Sequence, residues 1–450
     1  MATARLDLTR GNITGQLFRM ATPIMLGMLV FTLYMLTDLF FVSRLGADAV
    51  AALSISGNVF FIHLGLSFTI GTGAMSLIAR YVGAGRMEKA RVVFEQSLLL
   101  SLAAGILVAI TGVLAAKPYI RFFGGTGLAL EWGIDYFRIY SVSLFLLLLL
   151  HVFGACYRGM GDTKTSMKIV LQSLVMNMVL DPLLIFGPGP FPELGVKGAA
   201  LASLLSQIYG VMIYLYLVFV QRQHIHLKGP WKPDAAVIRK SLSIGLPSGL
   251  AYFLLTANML ITYRVVSQYH TQALASIGIG FRIIQAIYLP SVAVADAMAA
   301  MVGQNFGAAD AGRIKQTFWT GLRFCCLFMA AGTVLCLWYP GSLMQLFSRE
   351  SEVVRFGIIY LTITAIANVP VGMILTISAV FQGIGKTYPS LVCAFADNLL
   401  FAAAVLTLPV WFGWGFASVW WIKLTATFFE TVFLAVWLSR HLKRLGSFAG

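Results

Sequence analysis

Apolar residues along this chain run in long blocks separated by short polar connections, with no strand-like alternation. Twelve blocks are long enough to cross a bilayer, at about residues 16–42, 50–79, 92–116, 132–156, 166–187, 196–221, 241–268, 274–303, 316–339, 353–379, 389–411 and 414–439. A membrane helix needs about 20 apolar residues, and an uninterrupted apolar backbone in lipid must satisfy its own hydrogen bonds as a helix. The pattern therefore predicts an all-α polytopic membrane protein. No polar stretch reaches the size of a soluble domain. The longest, 221–239, is basic and contains Pro230 and Pro233.

The blocks repeat. Shifted by 224 positions, Pro23 falls on Pro247, Gly83-Ala84 on Gly307-Ala308, and Gly159, Gly161 and Thr163 on Gly383, Gly385 and Thr387. Thr32/Thr256, Met35/Met259 and Ser166/Ser390 fill in between. The expected organisation is an N-terminal six-helix lobe at 1–222, a linker at 223–240 and a C-terminal lobe at 241–450. Six spans is an even number, so the second half enters from the same side as the first. The two bundles are then related by a pseudo-twofold axis along the membrane normal. A cleft between them, opened to either side by rocking, would give alternating access.

Composition and charge narrow this picture. The chain is 59% hydrophobic and 11% charged, against about 25% charged for soluble domains. A net charge of +15 suggests nucleic acid until the basic residues are placed. Arg80, Arg86, Lys89, Arg91, Arg158, Lys164, Lys168, Lys228, Lys232, Arg239 and Lys240 share one face, with few on the other. That bias predicts cytoplasmic termini and an inner cell membrane location, with no nucleic-acid partner. Residues 1–15 are too polar for the core of a cleaved signal. Cys156, Cys325, Cys326, Cys336 and Cys393 lie in or beside apolar runs without metal-like spacing, so they read as reduced packing residues. Glycines such as Gly71 and Gly73 read as close-approach points, and Pro23 and Pro247 as bends in the first span of each half.

Acidic residues inside the blocks carry the candidate chemistry. A charge at bilayer depth costs about 2.5–3.5 kcal/mol on insertion scales, so it should face a cavity or a partner. Asp38 and Asp181 lie about a turn from the outer ends of spans one and five. Asn177 precedes Asp181 by one turn on the same face. Ser203 of span six comes to similar depth, and Tyr34 is one turn below Asp38. Two carboxylates in low dielectric resist simultaneous ionisation, which makes a proton-binding pair. The oxygens of Asp38, Asn177 and Asp181 would also suit Na⁺. In the repeat, Asp38 aligns with Thr262 and Asp181 with Val405, so this pair belongs to one half. Asp296 and Asp397 are second-half acids, either cavity-lining or paired, with Arg282 as a candidate partner. Glu95 and Glu430 read as structural. The 33 Phe, 16 Tyr, 9 Trp and 18 Met fit a cleft for flat cations.

The chain resembles the MATE (multidrug and toxic compound extrusion) family over nearly its whole length. The resemblance rests on Pro23 with Asp38-Leu-Phe-Phe-Val-Ser-Arg-Leu-Gly46, Gly71-Thr-Gly73 with Ala79-Arg80 and Gly83-Ala-Gly85, and Arg158-Gly-Met-Gly-Asp-Thr163. It continues through Asn177-Met-Val-Leu-Asp-Pro182, Gly195-Val-Lys-Gly-Ala-Ala200 and Val302-Gly-Gln-Asn-Phe-Gly-Ala308. It implies twelve helices in a V of two lobes and secondary export of drugs against H⁺ or Na⁺. Its functional positions map onto Asp38, Asn177 and Asp181, with Ser203 as the helix-six hydroxyl. The acids that NorM-like members carry in helices seven and ten are missing from Ala251-Tyr-Phe-Leu-Leu255 and Ala367-Asn-Val-Pro-Val371. That favours a DinF-like reading with coupling in the N-terminal lobe.

The expected function is an antiporter, not an enzyme. It would export cationic, lipophilic organic compounds in exchange for H⁺ or Na⁺, without an organic cofactor or a firm metal site, as a monomer in the bilayer. A flippase for lipid-linked precursors is the alternative. It would need a basic cavity, for which the spans offer Arg138, Arg264, Arg282 and Lys423.

Overall fold

The computed structural model describes residues 6–227 and 232–446. Lys228 and Pro230 of the expected linker lie outside the described residues. Within them the chain is helical and contains no strand. The helices are α1 (Ile13–Ser43), α2 (Ala47–Gly57), α3 (Phe60–Gly83), α4 (Met87–Phe122), α5 (Gly127–Gly159), α6 (Thr163–Phe186) and α7 (Val196–Leu215) in the first half. The second half holds α8 (Ala235–Val266), α9 (Thr271–Gly307), α10 (Ala311–Trp338), α11 (Pro340–Gln345), α12 (Ser351–Ile366), α13 (Asn368–Gly383), α14 (Tyr388–Phe412) and α15 (Ala417–Gly446).

Among the described residues, 11 helical stretches are long and apolar enough to cross a membrane, with α2 and α3 counted as one. The pair α12 and α13, bent by 47° at a short break, passes the same test only when taken together, which brings the count to 12 if the pair is one span. The protein is thus a multi-pass membrane protein. The predicted tenth block, 353–379, is one apolar run in sequence but two helices in space. Pro370 lies in the first turn of α13, where its missing N–H removes no intrahelical bond.

Two compact units divide the chain: Met1–Asp7 with Leu26–Gly249, and Leu8–Met25 with Leu250–Gly450. The two break points fall at equivalent places in the repeat, two residues after Pro23 and two after Pro247. In the first unit, Phe94, Phe153, Tyr157 and Tyr214 pack edge-on and stacked at 4.8–6.5 Å between ring centres. In the second, Phe356, Tyr360, Phe416 and Trp420 pack edge-on at 4.6–5.6 Å.

Small residues let backbones touch inside the first unit. On α3, Gly65, Thr69 and Gly73 recur every fourth residue, and on α8 Ser241, Gly245 and Gly249 do the same. A Cβ added at Gly245 would collide with the Thr69 carbonyl, and one at Gly73 with the Ser241 carbonyl. Close approach of this kind is how small-xxx-small faces associate in lipid. The repeat also keeps its contacts. A Cβ at Gly159 would stand 2.8 Å from the Met75 carbonyl, and one at Gly383 2.7 Å from that of Ala299, its equivalent.

Each unit is tied at a segment that comes from elsewhere in the chain. In the second unit, Leu8 N–H donates to Gln304 Oε1 at 3.4 Å and its carbonyl accepts from Asn305 Nδ2 at 3.2 Å. Arg313 bridges Asn305 Oδ1 and the Gly11 carbonyl at 3.0 Å each. In the first unit, Gln96 donates to the Lys232 carbonyl and accepts from Asp234 N–H, both at 2.9 Å. Asp162 caps α6 through Thr165 N–H at 3.0 Å and meets His224 Nε2 at 2.7 Å.

Candidate ion-coupling site

Helix α1 carries Tyr34 and Asp38 one turn apart, α6 carries Asn177 and Asp181 one turn apart, and α7 brings Ser203. The spacing of four puts each pair on one helix face. All belong to the first unit. Tyr34 Oη and Ser203 Oγ are hydrogen-bonded at 2.8 Å. Asn177 Nδ2 lies 3.4 Å from both Ser203 Oγ and Asp181 Oδ1, donating toward each. Asn177 and Asp181 are fully buried, and Asp38 is 9% exposed. Asp38 lies within electrostatic reach of Asp181.

Three oxygens in this cluster accept nothing from a protein donor: Asp38 Oδ1, Asn177 Oδ1 and Asp181 Oδ2. Buried acceptors without a donor are costly. A proton on either carboxylate would turn one of these groups into a donor, and a small hard cation is bound by oxygens of this kind. The arrangement is therefore suited to taking up one positive charge and giving it back.

Two residues escaped the sequence reading. Tyr136 and Tyr140 of α5 stack at 5.3 Å and both lie within electrostatic reach of Asp38. Their spacing of four was the available signal, but tyrosines in an apolar block also suit a lipid interface.

The second-half acids behave differently. Asp397 Oδ2 is paired with Lys423 Nζ at 2.6 Å, not with Arg282, and the ammonium sits 5.3 Å over the Phe401 ring. Asp397 Oδ1 is buried without a donor, and Glu430 lies within electrostatic reach of both charges. Asp296 on α9 is half-buried. None of these second-half acids belongs to the unit that holds Asp38. Glu95 is held by Arg91 at 3.0 Å.

A family profile described as MatE matches residues 23–183 and 247–407, one copy in each half. The chain belongs to the MATE family. The offset between the two matched stretches is that of the internal repeat. Among similar proteins, a FAD transporter of Shewanella oneidensis is 26% identical over 84% of this chain and 83% of its own length. A probable multidrug resistance protein of Bacillus subtilis, YoeA, is 26% identical over 83% of this chain and 82% of its own. The solved structure of MATE in the bent conformation superposes with a TM-score of 0.92 at 26% identity, covering 99% of both chains. The fold is that of the two-lobed MATE transporters.

Proposed function

We propose that this MATE transporter is a secondary exporter of small organic compounds, driven by exchange with protons or Na⁺ at Asp38 and Asp181. The buried cluster with three undonated oxygens carries the reading. An ion entering from outside would bind between α1 and α6, and its arrival would release bound substrate. Each charge moved through 100 mV supplies about 2.3 kcal/mol. The bias of Lys and Arg supports cytoplasmic termini in an inner cell membrane. On this reading the halves 1–222 and 241–450, joined by 223–240, work as a monomer.

Cationic, lipophilic drugs are the proposed substrates, since the related YoeA is called a multidrug resistance protein and the cluster is acidic. The Shewanella relative's name makes a flavin dinucleotide the next compound to assay. The flippase alternative gains little: Lys423 is already engaged by Asp397.

In inside-out vesicles, Asp38→Asn should abolish gradient-driven uptake of a fluorescent cation while the protein still inserts. Undiminished uptake would remove the assigned role.

A further inference from the structure

Away from the acid cluster, two histidines of the first unit face one another. His63 Nε2 on α3 lies 3.1 Å from His151 Nδ1 on α5, and Ser67 Oγ lies 3.2 Å from the same His63 nitrogen. His63 is 2% exposed. Such a pair is expensive to bury among apolar helices, where aliphatic side chains would pack at no polar cost.

A column of rings runs from this pair to α1. His63 stacks on Phe60 at 5.6 Å and 19°, Phe60 stacks on Phe31 at 6.0 Å and 20°, and Phe31 meets Tyr34 at 5.9 Å. Tyr34 is bonded to Ser203 and stands one turn from Asp38. The repeat marks the column as deliberate. The second-half equivalents of Phe31, Phe60, His63 and His151 are Leu255, Ile284, Ile287 and Leu375. All four rings are thus present only in the half that also holds the two acids.

We propose that His63 and His151 together bind one proton, forming a second titratable site joined to α1 through Phe60 and Phe31. One added proton is shared across the pair, because a protonated imidazole donates to its neutral neighbour. A second proton would set two N–H groups against each other across 3.1 Å. Once charged, His63 lies against the face of Phe60, where a cation is attracted to the ring. That attraction is the link to α1.

The charged group that acts on His151 is Arg158, two turns along α5. On the other helices of this unit, Ser56 on α2, Glu95 on α4, Ser166 on α6 and Gln207 on α7 have partners of their own, while Ser173, Asn177 and Asp181 on α6 each keep a buried oxygen without a donor. Helix α8 meets α3 with Ser241, Gly245 and Gly249, which are uncharged.

The functional part of this inference rests on the proton-coupled reading above, so its test reads protonation separately from transport. Full-length protein with nitrogen-labelled histidine, reconstituted in nanodiscs, should show the two rings taking up one proton between them in a single step. The signals are assigned by their loss in the double variant His63→Ile/His151→Leu, which copies the second half. That variant should still export, with the pH midpoint of transport displaced by about one unit. Phe60→Ile, which keeps both histidines, should shift the midpoint in the same direction and serves if the double variant fails to fold. The titration should persist in Asp38→Asn. If Asp38→Asn still transports, the exporter mechanism falls while the histidine site stands. Rings that stay neutral wherever the protein is folded, that take two independent protons, or a Phe60→Ile profile that overlays the wild type, would overturn the proposal.

Discussion

Asp38 and Asp181 matter because of what surrounds them more than because they are acidic. The same is true of Asp162 at the edge of the membrane-spanning segments. Burial pushes the Asp162 carboxyl up, but the His224 ring and the Thr165 N–H and hydroxyl outweigh it and hold the group below the usual carboxylate range. A carboxyl lowered on folding stabilises the protein fully above its unfolded value, about pH 4, and loses that contribution as the pH falls through the folded value. Asp162→Ala should therefore cost about 1–3 kcal/mol at neutral pH, as for lost hydrogen bonds to a buried charged group. It should also flatten the acid limb of thermal unfolding in detergent; an unchanged acid limb would contradict the assignment. At this scale the sequence was legible where depth could be counted along a helix. Tyr34, Asn177, Asp181 and Ser203 were assigned to one level, and the structure brings them within hydrogen-bonding reach. His63, His151, Tyr136 and Tyr140 were not legible, because partners on different helices leave no local trace in a single chain.

Helices show the opposite balance. Their existence follows from block length, and the twelve blocks return 11 candidate spans and one bent pair among the described residues. Their breaks do not, because a hydropathy average passes through a short interruption unchanged. The gap between α2 and α3 and the bend before Asn368 both sit inside one apolar run. Pro370 could have hinted at the second. The close crossing of α3 and α8 was half readable: Gly71-Thr72-Gly73 stood out, but its partner on α8 did not. The structure divides that motif: Gly73 lies against Ser241, and a Cβ added at Gly71 would stand 3.3 Å from Ala155 Cβ. Gly245→Val would drive a branched side chain into the Thr69 carbonyl. Overpacking of this kind costs about 1–3 kcal/mol, so a lowered melting temperature is expected. A melting temperature equal to the wild type would show that α3 and α8 can separate freely.

The molecule as a whole is a duplication whose halves have diverged in chemistry while keeping their backbone contacts. Gly159 on Met75 and Gly383 on Ala299 preserve the repeat, whereas acids and rings fill the first half at positions where Thr, Val, Leu and Ile fill the second. What sequence comparison alone could not show is that compactness ignores the repeat boundary at both first spans. Residues 8–25 fold with the second half and 235–249 with the first. Each copy therefore lends its opening segment to the other's fold. Suppose a gene were cut so that translation stopped and restarted within 228–231. Neither polypeptide alone would be a finished object, since each would leave its sibling missing a wall. Made together in one cell, the two should recover export; made singly, each should be cleared by proteolysis, and survival of a lone fragment at normal abundance would show that the loan is dispensable.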